Sequence, residues 1–276
     1  MEDLVIVGSG PAGLTAAIYA ARGGFKPLVI EGMDSGGQLM QTAHVANFPG
    51  FGLNAKGPDI ISAIRTQAEN AGARFKMDVV ESVDFSGPIK ILNTMLGDKI
   101  ESKSVIIATG AGVSKTGKPG EARFWGHGIS ACLTCDGAFY SGKRVAIIGS
   151  GSSAQGAKNY LERLGAEVAA VVSPENLLAF KGEANTLTAI EQVGTVPNQV
   201  PVDGAFLVTA RVPQTAFLKG ALELDSSGYV IVNGVNTSIS GVFAAGDCAR
   251  PHHKQAIIAS SDGAIAALEA MSYIRA

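Results

Sequence analysis

The chain has 276 residues, of which 24 are acidic and 22 basic, and hydrophobic residues make up 46 %. That share supports a large buried core and excludes intrinsic disorder, while a formal charge of −2 offers no basic surface for nucleic acid. Three cysteines are too few for the disulfide framework of a secreted protein. The start Met1-Glu2-Asp3 lacks the positive charge of a signal peptide, and we expect no apolar run of roughly 18 residues that could cross a membrane. We therefore expect a cytoplasmic protein.

The N-terminal segment predicts a strand, a glycine-rich turn, a helix and a second strand. The strands cover Leu4–Val7 and Pro27–Ile30, and the helix covers Leu14–Arg22. The turn carries Gly8, Gly10, Pro11, Ala12 and Gly13. Glycines at this spacing let a pyrophosphate approach the backbone at a helix N-terminus, and proline suits the first helical turn. Glu31 ends the second strand, where an acid binds a ribose hydroxyl, so the segment predicts a dinucleotide site; the alternative is a tight turn without a ligand.

Glycine-rich segments mark two candidate domain boundaries. Ala111–Gly120 follows an apolar strand, Ser104–Ala108, and indicates a crossing into a second domain. Asn236–Gly241 precedes another apolar strand, Val242–Ala244, and indicates the return crossing. The stretch Ala256–Ile274 is helical by composition, and we expect it to pack on the first domain.

Between the two crossings, Cys132 and Cys135 form a Cys-x-x-Cys pair that Asp136 follows directly. In such a pair one thiolate attacks a partner disulfide, the second resolves the mixed disulfide, and a nearby acid carries the proton. Two other interpretations stay open at this point. The pair could be buried and inert, or it could be half of a zinc site with further ligands from Cys248, His252 or His253, of which Cys248 and His252 have plausible spacing.

A second strand–turn–helix–strand segment follows the Cys pair. It consists of the strand Arg144–Ile148, the turn Gly149–Ala154, a helix to about Leu164 and the strand Glu167–Val172. Two such βαβ units predict parallel, doubly wound sheets.

Six motifs agree in content and order with one protein family. They are Gly36-Gly37-Gln38-Leu39, Asn47-Phe48-Pro49-Gly50, Ala108-Thr109-Gly110, Cys132-Leu133-Thr134-Cys135-Asp136-Gly137, Ala245-Gly246-Asp247 and Lys254-Gln255-Ala256-Ile257. Nearly the whole chain thereby resembles the low-molecular-weight, bacterial-type thioredoxin reductases. The resemblance implies an α/β fold of two Rossmann-like doubly wound domains, FAD as cofactor, thioredoxin or a thioredoxin-like protein as substrate, and a homodimer. With the two crossings, it predicts a discontinuous FAD domain, residues 1–111 and 240–276, around a smaller insert, residues 112–239.

The resemblance also implies a role for each matching residue. Cys135 would be the thiol beside the flavin, Cys132 the thiol that attacks the partner, and Asp136 the proton donor and acceptor. Asp247 would bind the ribityl or pyrophosphate part of FAD, and the helix that starts at Ala256 would direct backbone N–H groups at the flavin. The residues expected to bind FAD are Gly8, Gly10, Pro11, Ala12, Gly13, Glu31, Gly37, Gln38, Leu39, Asn47, Ala108, Thr109, Gly110, Gly246, Asp247, Gln255 and Ala256.

The second glycine motif departs from the family pattern. The family places a basic cluster, typically His-Arg-Arg, after the second strand of this unit to hold the 2′-phosphate of NADPH, whereas this chain has Ser173-Pro174-Glu175. Between Leu164 and Ala210 the only base is Lys181, against five acids, which is a poor site for a doubly charged phosphate. The stretch between Phe180 and Ala205 is also too short for the family's full nucleotide domain.

The sequence therefore predicts an FAD-dependent thioredoxin reductase that takes electrons from ferredoxin in preference to NADPH, similar to known ferredoxin-dependent relatives. Lys115, Lys118 and Arg123 could steer such an acidic donor. Three alternatives remain open: an NAD(P)H-dependent thioredoxin reductase, a flavin-dependent dithiol oxidase, and a non-catalytic redox sensor or zinc-binding module.

Overall fold

The computed structural model describes residues 1–33, 35–42, 44–194, 198–250 and 252–276. The helices are α1 Pro11–Arg22, α2 Gly57–Ala71, α3 Glu121–Phe124, α4 Leu133–Asp136, α5 Gly151–Arg163 and α6 Ala256–Arg275. The strands are β1 Glu2–Val7, β2 Leu28–Ile30, β3 Arg74–Lys76, β4 Val80–Asp84, β5 Lys90–Thr94, β6 Lys99–Ile107, β7 Ala111–Val113, β8 Ile129–Ser130, β9 Arg144–Gly149, β10 Glu167–Val172, β11 Leu177–Glu183, β12 Thr186–Gln192, β13 Gln199–Pro201, β14 Gly204–Val208, β15 Arg211–Pro213 and β16 Val242–Ala244.

A seven-stranded sheet in the order β3-β2-β1-β6-β5-β4 forms the first unit, with β16 beside the C-terminal half of β6. Strands β1, β2, β3, β6 and β16 run parallel, whereas β4, β5 and β6 pair antiparallel. The C-terminal halves of β1 and β6 are buried without interruption, because both faces of the sheet are covered. Helices α1, α2 and α6 pack on one face, and the segment around Leu218, Leu222 and Val230 packs on the other.

Close packing of α1 and α6 joins the two ends of the chain. Gly263 of α6 approaches α1 so closely that a Cβ at this position would lie 2.0 Å from the carbonyl oxygen of Ala12. Immediately after β16, a Cβ on Gly246 would lie 3.0 Å from Ala12 Cβ. The first turn of α1 and the segment before α6 therefore lie side by side at one end of the sheet.

The second unit contains a four-stranded parallel sheet in the order β10-β9-β14-β8 and an antiparallel sheet of β11, β12 and β13. Both βαβ segments predicted from the sequence are confirmed, as β1-α1-β2 and as β9-α5-β10. Strand β10 is the edge of its sheet and leads through residues 173–176 directly into β11, without a crossover helix between them.

The two units are joined by an antiparallel ribbon of β7 and β15. The return crossing therefore lies at Arg211–Pro213, and the expectation of a return at Asn236–Gly241 was wrong. Residues 214–239, assigned to the insert by that expectation, instead pack on the first sheet, where Leu218 and Val230 join its core. The one glycine of that segment, Gly241, has φ +79° and serves a tight turn before β16.

Helix α6 corrects a second expectation. An 18-residue window in this helix has a mean hydropathy of 1.2, so by length and composition alone α6 could cross a membrane. A core helix of a soluble protein passes the same test, and α6 packs along α1 and buries the carboxylate of Asp262, which pairs with Arg250. This packing explains the apolar residues on the face of α6 that contacts α1.

Candidate active site

The Cys132–Cys135 pair lies at the start of the short helix α4. Cys132 and Cys135 are joined by a disulfide, with Cα atoms 5.3 Å apart. Cys132 is the residue before the helix, and its Sγ accepts a hydrogen bond from the backbone N–H of Cys135 at 3.2 Å. Both residues are half-buried, so a partner protein can reach the pair only at a limited surface.

A chain of side chains links this pair to the first unit. Gln255 Nε2 donates to Thr134 Oγ1 at 2.7 Å, and Asn47 Nδ2 donates to Gln255 Oε1 at 3.1 Å. Thr134 lies between the two cysteines, and Gln255 immediately precedes α6. The disulfide is therefore held at the N-terminus of α6, where the helix dipole favours negative charge.

Asp136 lies in an environment that favours its protonated form. Burial raises the pKa of its carboxyl group, and a hydrogen bond from the Ser130 hydroxyl together with the neighbouring His44 partly offsets this rise. The His44 ring comes from the first unit and packs against the Phe139 ring, with centroids 5.2 Å apart. A carboxylate with a raised pKa is a stronger proton acceptor than a solvent-exposed aspartate.

Glycines from three parts of the chain form a cradle beside the first turn of α1. A Cβ on Gly8 would lie 2.3 Å from the Ala108 carbonyl oxygen, so only glycine allows this turn. Around Gly10, in contrast, there is open space, and Gly37 lies close by, its hypothetical Cβ 3.5 Å from Gly10 Cα. Gly246 closes the third side of the cradle next to Ala12.

Two polar side chains lie at this cradle, those of Thr109 and Asp247. The Thr109 hydroxyl is buried and has no hydrogen-bond partner among the described residues. Burial raises the pKa of the Asp247 carboxyl, and Lys254 and Arg211 only partly offset the effect. Such groups fit a ligand that donates and accepts hydrogen bonds through hydroxyl groups, as the ribityl chain of FAD does.

Other predicted FAD residues have protein partners as well. Both carboxylate oxygens of Glu31 are bound by the Arg65 guanidinium, and Oε1 also accepts from the Ser35 hydroxyl at 2.5 Å. A carboxylate has about four acceptor sites, so room remains for a ribose hydroxyl. Gln38 directs its amide to the ribbon, and Leu39 packs against the first core, so neither side chain belongs to the cradle.

The second glycine turn is also retained, but the end of β10 carries no cation. A Cβ on Gly149 would lie 2.7 Å from the Val208 carbonyl oxygen, which resembles the approach of Gly8 to Ala108. Ser173 and Glu175 occupy the turn after β10, and hydrogen bonds from this turn lower the pKa of the exposed Glu175. The turn therefore carries an ionised carboxylate, and the charge of Lys118 contributes to a smaller degree to lowering its pKa.

The third cysteine is separate from the redox pair. Cys248 is fully buried, its Sγ donates to the carbonyl oxygens of Ile107 at 3.5 Å and Ala245 at 3.4 Å, and burial raises its pKa to about 11. Among the described residues there is no group of three metal-ligating side chains.

Comparison with known proteins agrees with this geometry. A family model described as pyridine nucleotide-disulphide oxidoreductase matches residues 2–192 and 170–263. The thioredoxin reductase of Mycolicibacterium smegmatis is 36 % identical over 303 aligned positions, which cover 99 % of this chain and 97 % of that protein. This chain belongs to the thioredoxin reductase family. The family is one of flavoprotein disulfide oxidoreductases, and FAD is the cofactor; the glycine cradle, the buried Thr109 hydroxyl and the Asp247 carboxyl fit it.

Two further thioredoxin reductases show how far the similarity extends. A bifunctional thioredoxin reductase/thioredoxin of Mycobacterium leprae (strain TN) is 36 % identical over 302 positions, covering 99 % of this chain and 66 % of that protein. The structure of thioredoxin reductase from Streptococcus pyogenes MGAS5005 superimposes with a TM-score of 0.90 at 30 % identity, covering 100 % of this chain and 98 % of that one. The Mycolicibacterium alignment has at least 27 positions, 303 minus 276, with no counterpart here.

Sequence reasoning missed four residues that shape the site. They are Ser130, which binds Asp136; His44, which packs beside it; Arg65, which pairs with Glu31; and Arg211, which contacts both units. A hydroxyl two residues before a Cys-x-x-Cys pair could have drawn attention to Ser130. The other three act across contacts between distant segments, for which a single sequence carries no local signal.

Proposed function

We propose that this enzyme reduces the disulfide of thioredoxin or a thioredoxin-like protein through Cys132 and Cys135, with electrons from ferredoxin. The observation that carries the proposal is the Gln255–Thr134 hydrogen bond of 2.7 Å, because it puts the disulfide at the helix end next to the FAD cradle. A disulfide in this position can be reduced by the flavin on the side of the cradle and can undergo thiol–disulfide exchange with a partner protein on its exposed side.

The thiol steps follow from the order of the two cysteines. When bound and reduced by two one-electron transfers from ferredoxin, FAD would supply the two electrons that, with two protons, convert the Cys132–Cys135 disulfide into two thiols. The Cys132 thiolate then attacks the partner disulfide, forming a mixed disulfide and releasing one partner thiolate. The Cys135 thiolate attacks Cys132 Sγ, which releases the second partner thiol and restores the disulfide. Asp136 would give and take the proton of Cys135, and its raised pKa makes its carboxylate a better proton acceptor than an exposed one.

The cofactor contacts are proposed residue by residue. The cradle of Gly8, Gly10, Gly37 and Gly246 would receive the pyrophosphate, and the first turn of α1 would stabilise its charge. The remaining contacts are assigned to Pro11, Ala12, Gly13, Glu31, Gln38, Leu39, Asn47, Ala108, Thr109, Gly110, Asp247, Gln255 and Ala256. For Gln38 and Leu39 only backbone contacts are compatible with their side-chain partners.

The roles of the two cysteines can be separated by substitution. Cys132→Ser should lose disulfide reduction yet leave a Cys135 thiolate beside the flavin, visible as a long-wavelength charge-transfer band. Cys135→Ser should lose activity without that band. The reverse pattern would mean that the two thiols exchange roles.

The proposed donor follows from the end of β10. NADPH recognition needs cations at its 2′-phosphate, whereas this turn carries Glu175 and the sheet ends at β10. Ferredoxin is an acidic one-electron donor and needs only a complementary surface near the flavin. Lys115 and Arg123 are exposed on the second unit, where Lys115 lies 5.3 Å from the centre of the Trp125 ring.

Anaerobic bleaching of the flavin tests the donor. Reduced ferredoxin should bleach the flavin fully within seconds, while NADPH and NADH at micromolar concentration should not. Lys115→Glu should slow the ferredoxin reaction and weaken its salt dependence, whereas Lys158→Glu on the exposed face of α5 should not. Rapid bleaching by NADPH would refute the ferredoxin proposal.

NADPH is the second candidate donor, because the Gly149 turn keeps the close backbone approach of a nucleotide site. In that case the 2′-phosphate would have to bind elsewhere than the Glu175 turn. Rapid NADPH bleaching that Gly151→Asp abolishes would favour this candidate.

We further propose a cytoplasmic homodimer. The exposed side chains of Ile257, Ile265 and Leu268 lie along one face of α6, opposite the face that packs on α1. An apolar helix face of this kind fits a second copy of the chain. Leu268→Glu should halve the mass measured by light scattering, while Glu269→Gln should not change it.

A further inference from the structure

Arg211 contacts both units from the ribbon that joins them. It is the first residue of β15, whose partner strand is β7. Its Nη1 donates to Gln38 Oε1 in the first unit at 3.0 Å, and its Nη2 donates to the carbonyl oxygen of Ala131 in the second unit at 2.6 Å. One guanidinium group therefore fixes the distance between a loop of the FAD-binding unit and the residue before Cys132.

Gln38 holds the guanidinium in place from the other side. Its Oε1 accepts from Arg211, and its Nε2 donates to the carbonyl oxygen of Ala111 at 2.5 Å. Arginine can only donate and a backbone carbonyl can only accept, so this orientation of the amide is the one that satisfies both partners. Gln38 thereby connects Arg211 on β15 to Ala111 on the partner strand β7.

The peptide between Ala131 and Cys132 is bound at both of its polar atoms. Its oxygen accepts from Arg211, and its N–H, that of Cys132, donates to Ser130 Oγ at 3.0 Å. The Ser130 hydroxyl in turn donates to the Asp136 carboxylate. Arg211 is thus the first member of a hydrogen-bond chain that ends at Asp136, and each bond polarises the next.

We propose that Arg211 is a positioning residue that orients the Cys132–Cys135 pair toward the flavin through the Ala131–Cys132 peptide. The inference rests on the proposed function, since it assumes that Cys135 faces the flavin. Two separate N–H groups of one planar fork make the two contacts, which is a geometry that the single ammonium group of lysine does not reproduce. Burial lowers the pKa of Arg211 while Asp247 and Tyr229 oppose the shift, so the cation is held by neighbours at the FAD cradle as well.

Hydrogen exchange in the FAD-loaded enzyme tests the contact itself. Arg211→Met should speed exchange of the Cys132 and Cys135 amides by about tenfold or more, the factor expected when a charge-assisted hydrogen bond is lost. Arg144→Met is the matched control, because Arg144 is an exposed arginine of the same unit that pairs with Glu167 at 3.0 Å. Unchanged exchange at residues 130–136 in Arg211→Met would overturn the inference.

The charge-transfer band of the Cys132→Ser enzyme tests the orientation. Adding Arg211→Met should reduce the band at least twofold at unchanged FAD content, Arg211→Lys should give an intermediate band, and Arg144→Met should leave it unaltered. A full band in the Arg211→Met double variant would overturn the inference. Absence of the band from Cys132→Ser itself would instead refute the proposed thiol roles, and the exchange result would then decide on Arg211 alone.

Discussion

The contact of Gly263 with Ala12 allows a stability prediction with a matched control. In Gly263→Ala the new Cβ would lie 2.0 Å from the Ala12 carbonyl oxygen, about 1.4 Å closer than an ordinary van der Waals contact of about 3.4 Å. The oxygen belongs to the backbone of α1 and cannot rotate away, so the helices must separate. Separation loosens the alanine-rich seam between them, which includes Ala16, Ala20 and Ala267.

The expected magnitude follows from two opposing effects. Overpacking of this kind costs about 1–3 kcal/mol, and a backbone neighbour favours the upper end. Replacing a helical glycine by alanine stabilises the helix by about 1 kcal/mol. We expect a net loss of about 2 kcal/mol, or a melting temperature lower by about 4–8 °C.

Thermal unfolding of the FAD-loaded enzyme, followed by circular dichroism and flavin fluorescence, measures this loss. The control is Gly156→Ala in α5, where a Cβ would meet no atom within 4 Å, so only the helical gain remains and stability should rise by about 0.5–1 kcal/mol. If both substitutions stabilise the protein equally, the close approach of α1 and α6 does not constrain the fold.

Three further predictions concern charged and sulfur groups. Burial raises the pKa of Asp136 in the folded protein, so its carboxyl stabilises the fold below the pKa of the unfolded chain, about 3.9, and this stabilisation is lost as the pH rises through the folded pKa. Asp136→Asn should therefore be more stable than the parent in urea unfolding at pH 7. A stability difference that does not shrink toward pH 4 would contradict this. Burial raises the pKa of Cys248 to about 11, so this thiol should not react with iodoacetamide in the folded, reduced enzyme at pH 8 but should react after unfolding. Alkylation of Cys248 in the folded state would count against its burial. Arg65→Met should lower the free energy of unfolding by about 1–3 kcal/mol, because it leaves the buried Glu31 carboxylate without its cation. Adding Glu31→Gln to the same chain should restore most of this loss. If it restores none, the packing of Arg65 on Phe75 is the dominant contribution.

Local patterns in the sequence predicted the elements that surround the site. The strand Glu167–Val172 and the strand Val242–Ala244 have the predicted bounds, and the helix predicted to end at Ile274 ends at Arg275. These elements are specified by apolar runs between glycine turns, and each such pattern is contained in a short stretch of neighbouring residues. The Cys-x-x-Cys pair is equally local, and its disulfide is confirmed.

Contacts between distant segments explain what the sequence did not reveal. The ribbon pairs Ala111 with Pro213 across a hundred residues, and neither three-residue strand has an apolar pattern of its own. Glycines near residue 240 therefore gave a stronger boundary signal than the true crossing. Arg211 was missed for the same reason, since its importance arises only when the ribbon brings it between Gln38 and Ala131.

The position of β16 and α6 at the end of the chain has a consequence for biosynthesis. The parallel sheet of the first unit needs β16 beside β6, and the seam with α1 needs α6, yet both follow the whole second unit in the chain. The second unit, continuous from β8 to β14, can complete its folding on the ribosome while the N-terminal segment still lacks its partners. The FAD cradle, which requires Gly246, can close only after the segment from β16 to α6 has followed the second unit out of the ribosome. Removal of this segment should therefore yield a chain without flavin even though every residue of the first glycine turn is present.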